Sequence, residues 1–344
     1  MKKFIAAISA ITLTAACFAS CSSDSKDSKS ESTTEAATAA ETTTEEVTEK
    51  ATTEAEEEEM DDEENYDTGD ASLDNVRNQD EIGDNELLVV SFGTSFNDSR
   101  RLTIGAIEDA LEKAFPDYSV RRGFTANIII DHVNRRDGIL IDDLDAALQR
   151  AVDNEVKNLV VQPTHLMNGL EYDELSAKVA EYSDAFDKVV IGEPLLTTDE
   201  DFSRVEKAIT DWTKEYDDGE TAICFMGHGT EVESNGVYAK MQELLTADGY
   251  ANYFVGTVEA TPSLDDVLAK VKEGDYKKVI LEPLMVVAGD HANNDMAGAE
   301  EDSWKSVFEA EGYEVKCVLR GLGENEDIRS IYVDHAQAAI DSIK

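Results

Sequence analysis

Two histidines and one glutamate are the residues whose types and positions could support chemistry together. His228 lies between two glycines directly after an apolar segment, and His291 lies in a polar loop after another apolar segment. Glu171 follows a third apolar segment. A neutral imidazole accepts a proton at physiological pH and binds borderline divalent metals, and a carboxylate completes a common ligand set. The three residues therefore predict a divalent metal site with open positions for a second ligand.

The same residue types also allow simpler structural interpretations. A single loop histidine is often a hydrogen-bonded turn residue, and 57 and 63 residues separate the three candidates, so their spacing does not prove that they converge. His165, just before Glu171 on the same strand end, is a reserve candidate. His132 fits a helix face and is expected to be structural, whereas His335 in the last helix is expected to be exposed.

Several other chemistries lack their sequence signals. Gly227-His228-Gly229 lacks the third glycine of a dinucleotide fingerprint, and the chain has no Gly-Lys-Ser/Thr run that would cradle a nucleotide phosphate. It also has no Gly-x-Ser-x-Gly nucleophile elbow. Cys224 and Cys317 lie inside strand-like segments, where a buried apolar role is expected rather than a nucleophile. We therefore expect no nucleotide cofactor.

The composition excludes further classes of function. The chain has 344 residues with 75 acidic and 30 basic side chains, a formal net charge of -45. A nucleic-acid binder that neutralises phosphates needs a basic face, and a polybasic membrane-surface protein needs clustered lysines and arginines. Hydrophobic residues make up 41% of the chain, which is enough for a core but not for a polytopic membrane protein. The acidic surface attracts cations, including metal ions, or simply confers solubility.

The first 21 residues are typical of an export signal. Two lysines precede an apolar stretch of 13 residues, which is too short to cross a bilayer. Small residues before Cys17 and Cys21 resemble a bacterial lipobox, and Cys21 is preferred because a polar sequence follows it. The alternative is a plain secretory signal cleaved near Ala19. The first interpretation predicts an exported lipoprotein, held by a lipid anchor on the extracytoplasmic face of the cell membrane.

Residues 22–86 are predicted to form a disordered tether. This segment is rich in serine, threonine and glutamate, and it contains 24 acidic and 4 basic residues. Few large apolar side chains are available to offset the loss of chain entropy, and like charges keep such a chain extended. Its expected role is to hold the folded body away from the membrane; loose cation binding by the acidic residues at 54–64 is the weaker alternative.

The remaining sequence predicts an α/β fold with two similar halves, at 87–212 and 213–344. Apolar strand-like segments alternate with amphipathic helical ones, which is typical of right-handed βαβ units and parallel sheets. Each half is expected to contain a four-stranded parallel sheet flanked by helices, with a central cleft between the halves. The predicted strands lie at 87–92, 119–124, 159–162, 189–191, 222–226, 253–258, 279–281 and 315–319.

An internal repeat supports the two halves. The segment at 158–163 has the same pattern as the segment at 278–283, an offset of 120 residues that places Glu171 opposite His291. The segments at 91–94 and 227–230 correspond in the same way. Because ligands of such folds bind beyond the carboxyl ends of the strands, the cleft is the expected binding site.

The folded part of the chain resembles the anaerobic sirohydrochlorin cobaltochelatases of the CbiK type, which are ATP-independent class II chelatases related to ferrochelatase. The resemblance runs from residue 87 to about residue 339. Its motifs, in order, are LVVSFGTS (88–95), FT (124–125) with RRDG (135–138), HLMNG (165–169) with EY (171–172), FMGHG (225–229), PLM (283–285), AGDH (288–291), NDM (294–296), DSWK (302–305) and GLGEN (321–325).

This resemblance implies two α/β halves around a tetrapyrrole cleft. It also implies an enzyme, a lyase of anaerobic cobalamin biosynthesis that inserts Co²⁺ into sirohydrochlorin without a nucleotide. By motif, the family's metal-binding and proton-transfer residues carry over to His228, His291 and Glu171. Co²⁺ is then a substrate, and Ni²⁺ or Fe²⁺ would suit the same ligands.

The export signal departs from the usual cytosolic setting of this family, so the physiological tetrapyrrole stays open. The alternative function is a surface lipoprotein that binds a metal, haem or a corrinoid for uptake. A purely structural envelope protein is a third and weaker reading. No nucleic-acid partner is expected, and the sequence leaves open whether the chain is a monomer or a homo-oligomer.

Overall fold

The computed structural model describes residues 68–344. The predicted signal peptide, both candidate lipidation cysteines and the tether up to residue 67 lie outside the described residues. Between residues 68 and 344, no helix is both long enough and apolar enough to cross a membrane.

Eight strands and ten α-helices form the described part of the chain. The strands are β1 (Asn85–Ser91), β2 (Ser119–Phe124), β3 (Asn158–Pro163), β4 (Lys188–Ile191), β5 (Thr221–Gly227), β6 (Tyr253–Thr257), β7 (Lys278–Pro283) and β8 (Glu314–Cys317). The helices are α1 (Asn97–Arg100), α2 (Ala106–Ala114), α3 (Asn127–Asp137), α4 (Leu144–Asp153), α5 (Leu170–Glu181), α6 (Asp199–Thr213), α7 (Gly236–Ala247), α8 (Leu264–Val271), α9 (Trp304–Ala310) and α10 (Glu326–Ser342). All eight predicted strands are confirmed.

The strands form two four-stranded sheets with the same topology. The first sheet has the order β2-β1-β3-β4 and the second has the order β6-β5-β7-β8. Every strand pairing is parallel. The central strands are buried on both faces because helices cover them, which explains their continuous apolar sequences. The predicted α/β fold class is therefore confirmed, whereas the predicted boundary between the halves near residue 212 stays a prediction.

The last helix links the two sheets. Helix α10 follows the second sheet in the chain, but it packs against β3, α2 and α6. Its Tyr332 is fully buried, and the hydroxyl donates a hydrogen bond to the Thr164 carbonyl at 2.8 Å. One hydrophobic cluster accordingly contains side chains from both sheets, including Val160 and Ile223. The carboxyl end of β3 is thus held in place by an element that comes from the other end of the chain.

The folded body begins earlier than the sequence predicted. The tether was expected to reach residue 86, but residues 68–84, here called the N-terminal strap, pack on the first half. Asp74 accepts a hydrogen bond from Arg100 at 2.6 Å and one from Arg122 at 2.7 Å, and both arginines are fully buried. Arg77 is also buried and pairs with Glu108. The composition did not reveal this segment, because buried ion pairs hold much of it and only a few apolar residues, such as Val76 and Ile82, pack on the first half.

A buried carboxyl on α6 predicts a stability that depends on pH. Glu206 is 4% exposed. Burial, together with the neighbouring Asp248, raises the pKa of Glu206 from 4.5 to about 7. The folded protein therefore holds a proton that the unfolded chain has released between those pH values. Folding stability should fall as pH rises through that window, by up to about 3 kcal/mol at 1.36 kcal/mol per pKa unit.

The variant Glu206→Gln should remove this dependence. An amide cannot ionise, so the variant is expected to gain stability over wild type as pH rises from about 5 to 8. Urea denaturation of both proteins across that range measures the difference, and other titrating groups cancel in the comparison. If the two stability curves stay parallel, Glu206 does not hold the proton.

Candidate metal centre

Three neighbouring strands of the second sheet end beside the candidate residues. Strand β5 lies between β6 and β7. His228 follows β5 directly, Glu259 is the second residue after β6, and His291 lies in the loop after β7. The Glu259 amide donates a hydrogen bond to the His228 carbonyl at 2.9 Å. Because the strands are parallel, their carboxyl ends share one edge, and side chains from three loops meet there.

The two histidine rings are in direct contact. The centroids of His228 and His291 are 4.5 Å apart, and the rings meet edge to face at 86°. The ligand atoms of these two residues and of Glu259 all lie within 4.8 Å of one another. All three side chains are partly exposed, so a cation could reach them from solvent. The structure thus brings together the two histidines that the sequence singled out, with a carboxylate beside them.

Hydrogen bonds fix which nitrogen of each ring is free. The Nδ1 atom of His228 lies 2.8 Å from the Gly229 carbonyl oxygen, and that of His291 lies 2.8 Å from Asp295 Oδ2. A carbonyl or carboxylate oxygen can only accept, so both Nδ1 atoms carry the proton in the neutral rings. Each Nε2 therefore keeps its lone pair for a metal ion or a proton. A carboxylate behind a ligating histidine is a common feature of metal sites.

The charge of Asp295 has a second effect on His291. Burial lowers the pKa of His291, but the hydrogen bond and the negative charge of Asp295 outweigh burial and raise it overall. Protonation of Nε2 would remove the lone pair. Metal binding at this ring should therefore weaken as the pH falls.

Two glycines allow the close approach of the loops that carry the histidines. Gly229 has φ +94°, and a Cβ atom there would lie 2.9 Å from the Ala260 nitrogen. A Cβ atom at Gly289 would lie 2.9 Å from Thr94 Oγ1 of the first half. Any larger residue would push these loops apart. Steric crowding thus explains why glycine occupies these two positions near the candidate histidines.

Glu171 approaches the centre from the first half. It lies in the first turn of α5, its side chain is half-exposed, and its Oε2 atom is 3.6 Å from His165 Nε2. Partial loss of solvent around the carboxyl raises the pKa of Glu171, and the neighbouring His228 lowers it in part. Glu171 belongs to neither ligand cluster found among the described residues. Its predicted role as a metal ligand stays a prediction.

A sequence model of the family described as cobalt chelatase (CbiK) matches residues 85–341. The chain belongs to this family. Two curated relatives match this chain over most of their own length. This chain is 37% identical over 254 residues to a sirohydrochlorin cobaltochelatase of Salmonella typhimurium, and the alignment covers 74% of this chain and 96% of the relative. It is 31% identical over 282 residues to sirohydrochlorin cobaltochelatase CbiKC of Nitratidesulfovibrio vulgaris, covering 79% and 97%.

Solved structures share the fold of this CbiK member. SirB from Bacillus subtilis with Fe³⁺ superposes with a TM-score of 0.55 at 11% identity, covering 76% of this chain and 98% of SirB. The sirohydrochlorin chelatase SirB from Bacillus subtilis subspecies spizizenii, in complex with cobalt, gives a TM-score of 0.53 at 11% identity, covering 76% and 97%. At this identity the likeness concerns the fold alone.

Sequence reasoning missed two acidic residues of the CbiK member's centre. Glu259 directly follows the segment predicted as a strand at 253–258, and only the order of the strands reveals that this strand lies beside β5. Asp295 lies four residues after His291, on the π-helical turn Ala292–Met296. It also forms a second cluster of ligand atoms with Asp290 and His291. The helical spacing of Asp295 and His291 was the available signal.

The remaining histidines and cysteines have structural surroundings in this CbiK member. His132 is buried on α3, as expected. The expectation that His335 is exposed is wrong, because its ring contacts the Glu193 carbonyl and the Asp201 carboxylate, both at 3.1 Å. Cys224 is fully buried, and burial raises the pKa of the half-buried Cys317 to about 11. Neither thiol is therefore an activated nucleophile.

Proposed function

We propose that this protein is a sirohydrochlorin cobaltochelatase, which inserts Co²⁺ into the tetrapyrrole without ATP. The observation that carries the proposal is the contact between the His228 and His291 rings, with Glu259 beside them. The two curated relatives that bear this name match over nearly their whole length, which supports the same activity. The alternative, a carrier of metal, haem or corrinoid, has no such support.

The chemistry of insertion suits these residues. A divalent ion enters a tetrapyrrole only when two pyrrole protons leave and the ion loses its water ligands. Imidazole nitrogens can replace some of that water, and a neutral histidine can accept a proton. We assign His228 as principal base and ligand, and His291 as a ligand held by Asp295. A protein that favours a distorted macrocycle, with its nitrogen lone pairs exposed, would lower the barrier further.

Glu259 and Glu171 lie at different positions relative to the two histidines, and we assign them different roles. Glu259 lies within the ligand cluster, and we assign it as the third metal ligand. Glu171 lies outside the cluster on the opposite half, and its raised pKa favours proton uptake. We therefore assign Glu171 mainly as a proton acceptor that faces the tetrapyrrole, while a direct bond to the metal stays the alternative.

A pair of variants separates these two roles. Glu259→Gln should weaken Co²⁺ binding about 10- to 100-fold, since it removes one anionic ligand. Glu171→Gln should leave Co²⁺ binding nearly unchanged and lower the insertion rate instead. Isothermal titration with Co²⁺ and the rate of insertion measure the two effects. Equal losses of Co²⁺ affinity in both variants would contradict this division and restore Glu171 as a ligand.

The ligand set of the centre suits more than one divalent metal. Two imidazoles and a carboxylate accept Co²⁺, Ni²⁺ and Fe²⁺, and selectivity among such ions often follows their availability. We propose Co²⁺ as the main substrate because the curated relatives are named for cobalt. No nucleotide is part of the proposed reaction.

We also propose that the protein acts outside the cytoplasm as a lipoprotein. The basis is the apolar stretch before Cys17 and Cys21 and the acidic sequence that follows. The membrane would then be a partner through the lipid on Cys21. Mass spectrometry of the protein purified from its own membranes tests this location by the mass of the first tryptic peptide. The molecular mass of the protein in the same preparation would show whether it forms a homo-oligomer.

Insertion of Co²⁺ is the direct test of the proposed function. The protein is mixed anaerobically with sirohydrochlorin and Co²⁺, and the absorption spectrum of the tetrapyrrole is followed against a protein-free control. A rate well above the control supports a chelatase. A rate equal to the control, with Co²⁺ or tetrapyrrole still bound, would overturn it in favour of a tethered carrier.

A further inference from the structure

His165 is a buried side chain whose ring has no hydrogen-bond partner. It is 8% exposed and lies just after β3. Within residues 68–344, neither ring nitrogen makes a hydrogen bond. A neutral imidazole always carries one N–H group, and leaving such a group buried and unpaired costs roughly 1–3 kcal/mol. A cost of this size at the edge of the metal centre requires an explanation.

The backbone of His165 is fixed although its ring is unpaired. The Leu195 amide donates a hydrogen bond to the His165 carbonyl at 3.0 Å, and the Tyr332 hydroxyl lies 3.4 Å from the same oxygen. These bonds hold the backbone from which the ring projects, and the burial of the side chain leaves the ring little room to turn. Its Nε2 atom lies 3.6 Å from Oε2 of Glu171, beyond hydrogen-bond distance by a few tenths of an ångström.

Glu171 also lacks a hydrogen-bond partner among residues 68–344, although it is an acceptor and not a donor. Its carboxylate makes no hydrogen bond to any other described residue, and its side chain is half-exposed at the start of α5. A flexible side chain of this kind has several rotamers of similar energy. A proton acceptor is effective only when it is held within hydrogen-bond reach of the proton it takes. Glu171 therefore needs a partner, and the unpaired ring of His165 is beside it.

We propose that His165 is the positioning residue for Glu171: its Nε2–H donates a hydrogen bond to the Glu171 carboxylate and holds it toward the tetrapyrrole. This inference rests on the proposed function and deepens it. Burial lowers the pKa of His165 to about 4, so the ring is neutral at physiological pH and retains one N–H group. A rotation of the exposed Glu171 side chain is enough to close the gap, since the ring is fixed and the carboxylate is not. His165 does not touch the substrate in this role; it acts through Glu171.

The test is a double-mutant cycle on the rate of Co²⁺ insertion. His165→Phe fills the same space without a donor, and His165→Gln keeps an N–H donor close to the position of the histidine Nε2 atom. Both are measured alone and combined with Glu171→Ala, with thermal melts to check folding. His335→Phe is the matched control, because that ring bonds to Glu193 and Asp201 and not to the centre.

We expect His165→Phe to lower kcat about 10-fold, with KM for Co²⁺ within about twofold, and His165→Gln to recover most of that loss. The loss should disappear in the Glu171→Ala background, because a residue that acts through Glu171 has no effect once Glu171 is gone. An equal loss in both backgrounds, or no loss at all, would overturn the inference while the proposed function stands. A wild-type rate equal to the protein-free control would instead overturn both.

Discussion

Replacing His291 with alanine is expected to reduce Co²⁺ insertion by about 10²–10⁴-fold, toward the spontaneous rate. The ring is one of two imidazoles in direct contact at the centre, and Asp295 leaves its Nε2 lone pair free. Removing it takes away a metal ligand and leaves the Asp295 carboxylate without its partner. General acid–base groups and ligands of this kind each contribute losses of that size when they are deleted.

The measurement is the anaerobic insertion assay, read beside Co²⁺ binding. His228→Ala should give a loss of the same order, whereas His335→Ala should keep the wild-type rate, because that ring bonds to Glu193 and Asp201 and not to the centre. Asp295→Asn should lie between wild type and His291→Ala, with a loss of about 10- to 100-fold, because it removes the support and not the ligand. A His291→Ala protein that is folded and retains more than half of the wild-type rate would show that the reaction occurs elsewhere.

Replacing Asp74 with alanine is expected to destabilise the protein by about 3–5 kcal/mol. The side chain of Asp74 is 2% exposed, and it bridges Arg100 and Arg122, which are both fully buried. Removing one partner of a buried ion pair leaves an uncompensated buried charge, which is far more costly than the loss of a surface pair. Arg122 keeps Glu108 as a partner, so the larger cost falls on Arg100.

Urea denaturation measures this loss, with Asp84→Ala as the matched control. Asp84 belongs to the same N-terminal strap and pairs with Lys157 at 2.8 Å, but both side chains are more than half exposed. Its removal should hardly move the denaturation midpoint, because solvent screens such pairs. If both variants unfold at the wild-type midpoint, the strap does not contribute to the stability of the fold.

The Asp74 variant should also lower the activity, because a series of contacts through Arg100 connects the strap to the centre. Arg100 donates a hydrogen bond to the Thr94 carbonyl at 3.1 Å, and the Thr94 side chain packs against Gly289. The Ser99 hydroxyl accepts a hydrogen bond from the Ala288 amide at 3.0 Å. These contacts support the loop that carries His291. A fragment for assay should therefore begin before residue 68, and one that begins at residue 87 would lack this support.

Most of the fold could be predicted from the sequence because its signals are local. A parallel strand buried on both faces is a short continuous apolar segment, and each of the eight such segments proved to be a strand. The repeat of 120 residues predicted two sheets of four strands, and both have the same strand order. Of the two glycines that flank His228, Gly229 adopts φ +94°, a conformation that favours glycine.

Two features of the structure could not be predicted from the sequence: the packing of the N-terminal strap and the burial of His335. The N-terminal strap belongs to the acidic segment that was predicted as a tether, and its Asp74 is buried against Arg100 and Arg122, which are distant in sequence. The burial of His335 depends on Asp201 and Glu193, which lie more than 130 residues away in sequence. No local pattern records contacts of this kind.

The sequence by itself determined the strands, their parallel direction, and the two histidines that end up in contact. Only the tertiary structure decided which carboxylate joins them. Glu259 reaches His228 because β6 lies beside β5, while Glu171 comes from a helix of the other half and meets the unpaired ring of His165 instead. The reason is physical. The hydrophobic pattern that predicts a strand or a helix lies within a few neighbouring residues of the sequence, whereas a set of metal ligands depends on which strand ends become neighbours in the fold and on the side-chain rotamers that fit there.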